Sequence, residues 1–260
     1  MICPICRKEL ILNDKTAVCE NGHSFDISSK GYLNLLISSQ SVHGDNAAMV
    51  IARRAFLEKG WYSFLSSRIN EILSPLNIDS LADLGCGEGT YTASLPAKQR
   101  YGIDISKDAI KRACKKDHDA QYLIASVFDL PFSDASLQCC TTVFAPFAAE
   151  EIKRVLSDHG YFLLVSPAEK HLYELKEVLY ENPYLNPIKP LDTDMTLVHS
   201  ETIENRMLLA NEDLMNLFQM TPYAYHTDPK DSAKLLSLES LSVTAQFLIR
   251  LYQKNAAVPL

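Results

Sequence analysis

From Leu81 onward, short apolar runs alternate with amphipathic segments. Leu81–Leu84 is compact and apolar apart from Asp83. Arg100–Ile105, Gln121–Ala125, Ser136–Phe144 and Tyr161–Val165 are further runs of strand length. Between them, the spacing predicts helices beginning at Thr90–Leu95, over Lys107–Lys116 with Ser106 as cap, and from Ala145 to Leu156, where Asp158-His159-Gly160 ends the last. Strand, helix and strand in this rhythm imply parallel crossovers in a doubly wound α/β sheet. Cys139 and Cys140 adjoin within a strand, so they face opposite sides and read as core. Upstream, Ala47–Leu57 and Phe64–Leu73 are helical until Pro75. Downstream, His171–Tyr180 and Glu212–Met220 are helical, Asn182–Pro190 is irregular with three prolines, and Val243–Leu251 is a final strand.

The chain has 260 residues, 47% of them hydrophobic, enough for one large domain and a small appendage. The divisions expected are a small ribbon module over 1–36, which holds the N-terminal cysteines, a helical linker or lid over 37–75, and the sheet domain over 76–260. Within the linker, the polar Ser38–Asn46 stretch reads as a mobile lid or a plain connection. No apolar run approaches the ~20 residues needed to span a bilayer, and the N-terminus lacks a basic-then-apolar signal, so a cytoplasmic protein with no membrane partner is expected. A net charge of -7 speaks against an overall basic nucleic-acid footprint but leaves room for a local one.

Three of the seven cysteines cluster at the N-terminus, where Cys3, Cys6, Cys19 and His23 form C-x2-C-x12-C-x3-H. Two close ligands on one turn and two on another, separated by a hairpin-length insert, can wrap one tetrahedral Zn²⁺. With four protein ligands the site is closed and structural. So short a ribbon buries little apolar surface, so the metal supplies its stability, and chelation is expected to unravel it while the rest of the chain survives.

Ala82 to Tyr91 reads A-D-L-G-C-G-E-G-T-Y. A strand, then glycines at 85, 87 and 89, is how an open α/β sheet forms a nucleotide pocket at its strand ends. The pattern D-x-G-x-G-x-G resembles the first motif of S-adenosylmethionine (SAM) methyltransferases, with Asp83, Gly85, Gly87 and Gly89 forming the cofactor turn. Asp104 ends the next strand, nineteen positions beyond Gly85, where a pocket needs an acceptor for ribose hydroxyls. Arg53 and Arg54 are candidates for a phosphate or for the carboxylate of SAM, or are a solvated surface.

With these pieces placed, the chain resembles the ribosomal large-subunit RNA (guanine-N1) methyltransferases that carry an N-terminal zinc module. The likeness includes the ribbon, K-G-Y-L-N-L-L, A-R-R-A-F-L with G-W-Y, D-L-G-C-G-E-G, G-I-D-I-S-K-D-A-I, L-P-F-S-D-A-S, A-E-E-I-K-R-V-L, H-L-Y-E-L-K and Q-M-T-P-Y. It implies a Rossmann-like class I SAM methyltransferase that methylates N1 of a guanine in a hairpin loop of 23S rRNA and works as a homodimer. It implies SAM contacts at Tyr62, Gly87, Glu88 and His171, one structural zinc per chain, and a ribbon that helps to recognise RNA.

Where the family commonly has A-P-C-K, this chain has Ala145-Pro146-Phe147-Ala148, and Asp158-His159-Gly160 replaces P-G-G. The first change lies on the substrate side and bears on which guanine is chosen. Guanine N1 carries a proton that must leave, and Asp129, Glu150 and His171 are candidate acceptors. Phe144 or Phe147 is a candidate to stack on an extruded guanine, with core packing the plainer role for both. The rival functions are a SAM methyltransferase acting on a small molecule and a non-catalytic zinc-ribbon RNA-binding protein.

Overall fold

The computed structural model describes residues 1–37 and 47–256; the expected Ser38–Asn46 lid lies outside the described residues. The chain runs β1 (Leu10–Leu12), β2 (Thr16–Cys19), β3 (Ser24–Asp26), β4 (Leu33–Asn34), α1 (Ala47–Glu58), α2 (Ser63–Leu73) and β5 (Ile78–Leu84). It continues through β6 (Ala97–Asp104), α3 (Lys107–Lys116), β7 (Gln121–Ile124), β8 (Leu137–Val143), α4 (Ala149–Val155), β9 (Leu156–Pro167) and α5 (Tyr173–Leu179). It closes with β10 (Thr196–Ala210), α6 (Asn211–Gln219), α7 (Tyr223–His226), α8 (Pro229–Leu236) and β11 (Ser240–Gln253).

Strands β1–β3 form a small antiparallel ribbon, and the other eight form one sheet in the order β10-β11-β9-β8-β5-β6-β7-β4. Pairing from β4 to β9 is parallel, while β11 runs antiparallel to both of its neighbours. The chain winds outward from β5 through β6 and β7, then returns to β8 on the other side of β5. The connections after β5 and β8 therefore lead to opposite sides of the sheet, the switch point at which open α/β sheets bind ligands beyond the carboxyl ends of the strands. Side chains alternate between faces. Leu81, Cys139, Leu163 and Val165 pack with α1, α2, α5 and α6, whereas Ala82, Leu84, Cys140, Phe162 and Leu164 pack with α4 and the ribbon.

The doubly wound sheet and zinc ribbon agree with the sequence reading; several details differ. No α-helix follows the glycine turn. Only twelve residues join β5 to β6, and they hold a single 3₁₀ turn at Thr92–Ser94. The turn closes because Thr92 donates its hydroxyl to Asp83 at 2.6 Å, while the Arg100 guanidinium donates to the Thr92 and Ala93 carbonyls that a longer helix would have satisfied internally. Helix α4 starts four residues later than expected, at Ala149, because Pro146 biases Ala145 away from helix. Asp158-His159-Gly160 lies inside β9, with His159 at φ +60° turning the strand.

Helices α1 and α2 are core rather than linker, since Phe56, Leu65, Ile69 and Leu73 are fully buried and Lys59 binds Asp213 of α6 at 2.5 Å. The ribbon is not a free appendage either. β4, inside the expected 1–36 module, pairs with β7 as an edge strand of the main sheet, and Cys3, Leu10, Ala17 and Cys19 share a core with Leu84, Tyr101 and Leu130. The link between β7 and β8 contains no helix, so the ribbon covers the sheet face that a crossover helix ordinarily would.

Candidate active site and metal centre

The ligand atoms of Cys3, Cys6, Cys19 and His23 all lie within 4.8 Å of one another. Cys3 Sγ and Cys19 Sγ stand 3.5 and 3.4 Å from His23 Nδ1, and Cys6 Sγ stands 3.6 Å from Cys19 Sγ. Ligands at ~2.0–2.3 Å from a tetrahedral Zn²⁺ are about 3.4–3.8 Å apart, so the donor set fits that ion. Each ligand turn is closed by a left-handed residue, Arg7 at φ +62° and Gly22 at φ +79°, and by hydrogen bonds from Arg7 N to Cys3 O and Gly22 N to Cys19 O. The Lys8 backbone N–H, above all, holds the Cys6 thiol down at about 6, whereas burial raises that of Cys3. Arg7 reaches past the ribbon to Asp129, 2.6 Å away, on the loop after β7.

The glycine turn emerges from β5 still bonded to its neighbour, since Gly85 N and Cys86 N both donate to Ile103 O. Gly85 is at φ +77°, and a Cβ there would overlap the Ala145 side chain, so this position is closed to every other residue. Gly87, at φ +54°, faces open space, with nothing within 4 Å of where its Cβ would be. The Asp104 carboxylate accepts from Gly87 N at 2.9 Å and Ser106 N at 2.8 Å, joining the turn to the end of β6. The carboxylate thus sits at the strand end where a nucleoside's ribose is received in open α/β sheets. Glu88 is paired with Arg112 at 3.1 Å.

Asp83 stands below the turn, 2% exposed. Its two oxygens accept from the Thr92 hydroxyl at 2.6 Å and the Thr141 hydroxyl at 3.0 Å. Burial raises its carboxyl to about 6. It braces the turn from within the sheet and does not line the crevice.

On the far wall, Tyr62 packs edge-on against Phe56 and Phe247, and its ring lies 6.4 Å from that of His171. His171 is 8% exposed, and burial lowers its imidazole to about 3, so it is neutral at physiological pH. Its Nδ1 accepts from Gln246 N at 3.2 Å. Beneath it Lys176, fully buried, donates to Tyr184 O at 2.9 Å and Asn186 Oδ1 at 2.7 Å, and Asn186 donates to His171 O at 3.0 Å. This lysine anchors the proline-rich loop and holds the His171 backbone. The sequence marked it only as the last letter of H-L-Y-E-L-K.

Two more polar atoms, on Trp61 and Tyr91, went unnoticed in the sequence, and they join the hydroxyl of the expected contact Tyr62. Trp61 Nε1, Tyr62 Oη and Tyr91 Oη are buried without a hydrogen-bond partner among the described residues. Orphaned donors of this kind are rare unless a ligand completes them. Together with the open cradle at Gly87 and the acceptor at Asp104, they fit a small, polar, nucleoside-bearing cofactor. Asp129 and Glu150 are exposed, the latter in the first turn of α4.

A reversed last strand on a doubly wound parallel sheet, a glycine turn at the first strand end and an acid at the second define a SAM-dependent methyltransferase. This one carries a structural zinc ribbon on the sheet. Residues 1–40 match a family model for a zinc ribbon described as the N-terminal part of RlmA, and residues 82–164 match one described as a methyltransferase domain. The 23S rRNA (guanine(748)-N(1))-methyltransferase of Streptomyces fradiae is 30% identical over 249 residues, covering 90% of this chain and 89% of its own. YxjB of Bacillus subtilis, provisionally named a 23S rRNA (guanine-N(1)-)-methyltransferase, is 30% identical over 93% of each chain. A candidate methyltransferase from Bacillus halodurans shares the fold, with a TM-score of 0.51 at 15% identity over 74% of this chain and 99% of its own. The chain belongs to the family of 23S rRNA (guanine-N1)-methyltransferases.

Proposed function

We propose that this protein methylates N1 of a guanine in a hairpin loop of 23S rRNA, using SAM, as a cytoplasmic homodimer. One observation carries the reading: a closed Cys3/Cys6/Cys19/His23 ribbon is fused to the same sheet that presents the Gly87 cradle and Asp104. Among the described residues no helix is long and apolar enough to cross a membrane. The family's relatives are named for the same reaction. When bound, SAM supplies an electrophilic methyl group for in-line displacement.

The chain's own residues align the partners and exclude water. Gly87 leaves the turn open to the cofactor, Gly85 and Gly89 let that turn pack closely on Ala145 and Tyr122, Asp104 receives the ribose, and Tyr62, Glu88 and His171 enclose the cofactor. Asp83 acts through the turn. Of the three proton acceptors considered, Asp129 is bound to Arg7, and His171 is a weak base whose Nδ1 is already occupied.

The test is incubation with radiolabelled SAM and 23S rRNA from cells lacking the protein, followed by mapping of N1-methylguanine. Label at one guanine is expected. Label on small molecules alone would overturn the reading.

A further inference from the structure

Phe144 is the residue that β8 delivers to the rim of the crevice. It is an aromatic residue at φ +57°, in the left-handed region that side chains rarely adopt. Its surroundings hold it there: Phe144 N donates to Val165 O at 3.2 Å, and the next residue, Ala145, is pressed against Gly85 of the cofactor turn. The ring lies 6.4 Å from His171 at an interplanar angle of 29° and meets Phe247 at 5.2 Å. It is nevertheless 45% exposed. Phe147, three residues on, shows what core packing looks like here, since it stacks on buried Phe162 at 5.4 Å and 26°.

A strained backbone that leaves a large ring in solvent is costly for the protein alone and useful if the ring receives a planar partner. The sheet order indicates which partner. Asp104, the ribose acceptor, ends β6 on one side of β5, whereas Phe144 directly follows β8 on the other. Phe144 thus faces the side opposite the cofactor's nucleoside, where the methyl acceptor must enter. The geometry points to Phe144 as the platform on which a purine base, lifted out of an RNA loop, stacks beside the methyl donor. This rests on the rRNA reading above and adds the residue that grips the base. Aromatic stacking suits a single-stranded, unpaired base.

The test uses full-length, zinc-loaded protein with Phe144→Ala, Phe144→Gly and Phe144→Trp. Methylation of 23S rRNA, affinity for a guanine-bearing hairpin, SAM affinity by calorimetry and Tm are measured for each. Stacking worth about 1–3 kcal/mol per base corresponds to a loss of about 5- to 150-fold in kcat/KM and RNA affinity for the Ala and Gly variants. SAM affinity is expected within about twofold of the parent, and the Trp variant is expected to recover most of the loss. Phe144→Gly is expected to have a higher Tm than Phe144→Ala, because both lose the ring and only glycine relieves the left-handed strain, while the two lose RNA affinity alike, a split that a merely structural residue would not show. Full RNA binding by Phe144→Ala would overturn the inference, as would a loss of SAM affinity matching the loss of activity. If the unsubstituted protein leaves 23S rRNA unlabelled, the rRNA reading fails first and the platform falls with it.

Discussion

Asp83→Asn separates bracing from contact at the cofactor turn. Burial raises the Asp83 carboxyl from 3.8 to about 6, against the partial relief of two threonine hydroxyls. A raised folded-state value means that the protonated acid is the form the fold prefers. The stabilisation is therefore complete below about pH 4 and lost as pH rises through about 6. Roughly two pH units at 1.36 kcal/mol each put the cost of ionised Asp83 at pH 7 near ~3 kcal/mol. Asparagine cannot ionise, and it can accept from one threonine while donating to the hydroxyl of the other. The variant should be more stable than the parent at neutral pH, and its advantage should grow by about 1 kcal/mol between pH 5 and pH 7. Urea unfolding of both proteins at the two pH values, with zinc in excess, measures this. Titration of His171 and the zinc ligands is common to both proteins and cancels in the difference. SAM affinity should stay within a few-fold, because both Asp83 oxygens point to threonines. A pH-independent difference would refute the buried-charge argument, and a hundredfold loss of SAM affinity would put Asp83 in the pocket.

Three further outcomes follow from the same geometry. Chelation of zinc, or Cys6→Ser, should destabilise the entire domain in a single transition, because the ribbon covers the face of the sheet beneath β6 and β7; a loss of only ~3 kcal/mol would lower Tm by roughly 6–12 °C, and SAM binding that survives in metal-free protein would contradict it. Because the folded value of His171 is lowered from 6.5 to about 3, its contribution is present above pH 6.5 and lost as pH falls. His171→Asn should flatten the acid limb of the stability curve by about 3 kcal/mol between pH 7 and pH 4, read by denaturant unfolding. Asp104→Asn keeps an acceptor but loses the charge that holds Gly87 N and Ser106 N; calorimetry should show SAM affinity reduced by about tenfold or more with Tm little changed, and unchanged affinity would remove Asp104 from the site.

The parts of the site that were legible in the sequence are those in which the chemistry is local. C-x2-C-x12-C-x3-H specifies a zinc site because ligand spacing on a turn is a property of a few residues. The glycine turn and the placement of Asp104 at the next strand end were equally readable, since a strand that runs into a glycine turn is set by near neighbours. The helix expected after the turn was not, because its absence depends on Arg100 capping Thr92 and Ala93 from the next strand. The long exposed edge strand β10 and helix α8 also escaped. The solvated side chains of β10 blur the alternation that marks a half-buried strand.

By itself the sequence determined the donor chemistry, the metal ligands and the five central parallel strands β5 to β9, all of which follow from periodicity and short-range ligand spacing. Tertiary structure alone decided that Asp83 supports the turn from below, that the ribbon covers one face of the sheet, and that Lys176 anchors the loop behind His171. It also separated Phe144 from Phe147, two phenylalanines three residues apart that the sequence could not rank. One packs, partly buried, on Phe162, and the other stands largely in solvent at a left-handed turn. The reason is physical: burial, orientation and backbone strain depend on what packs from elsewhere in the chain, and a local pattern holds no record of it.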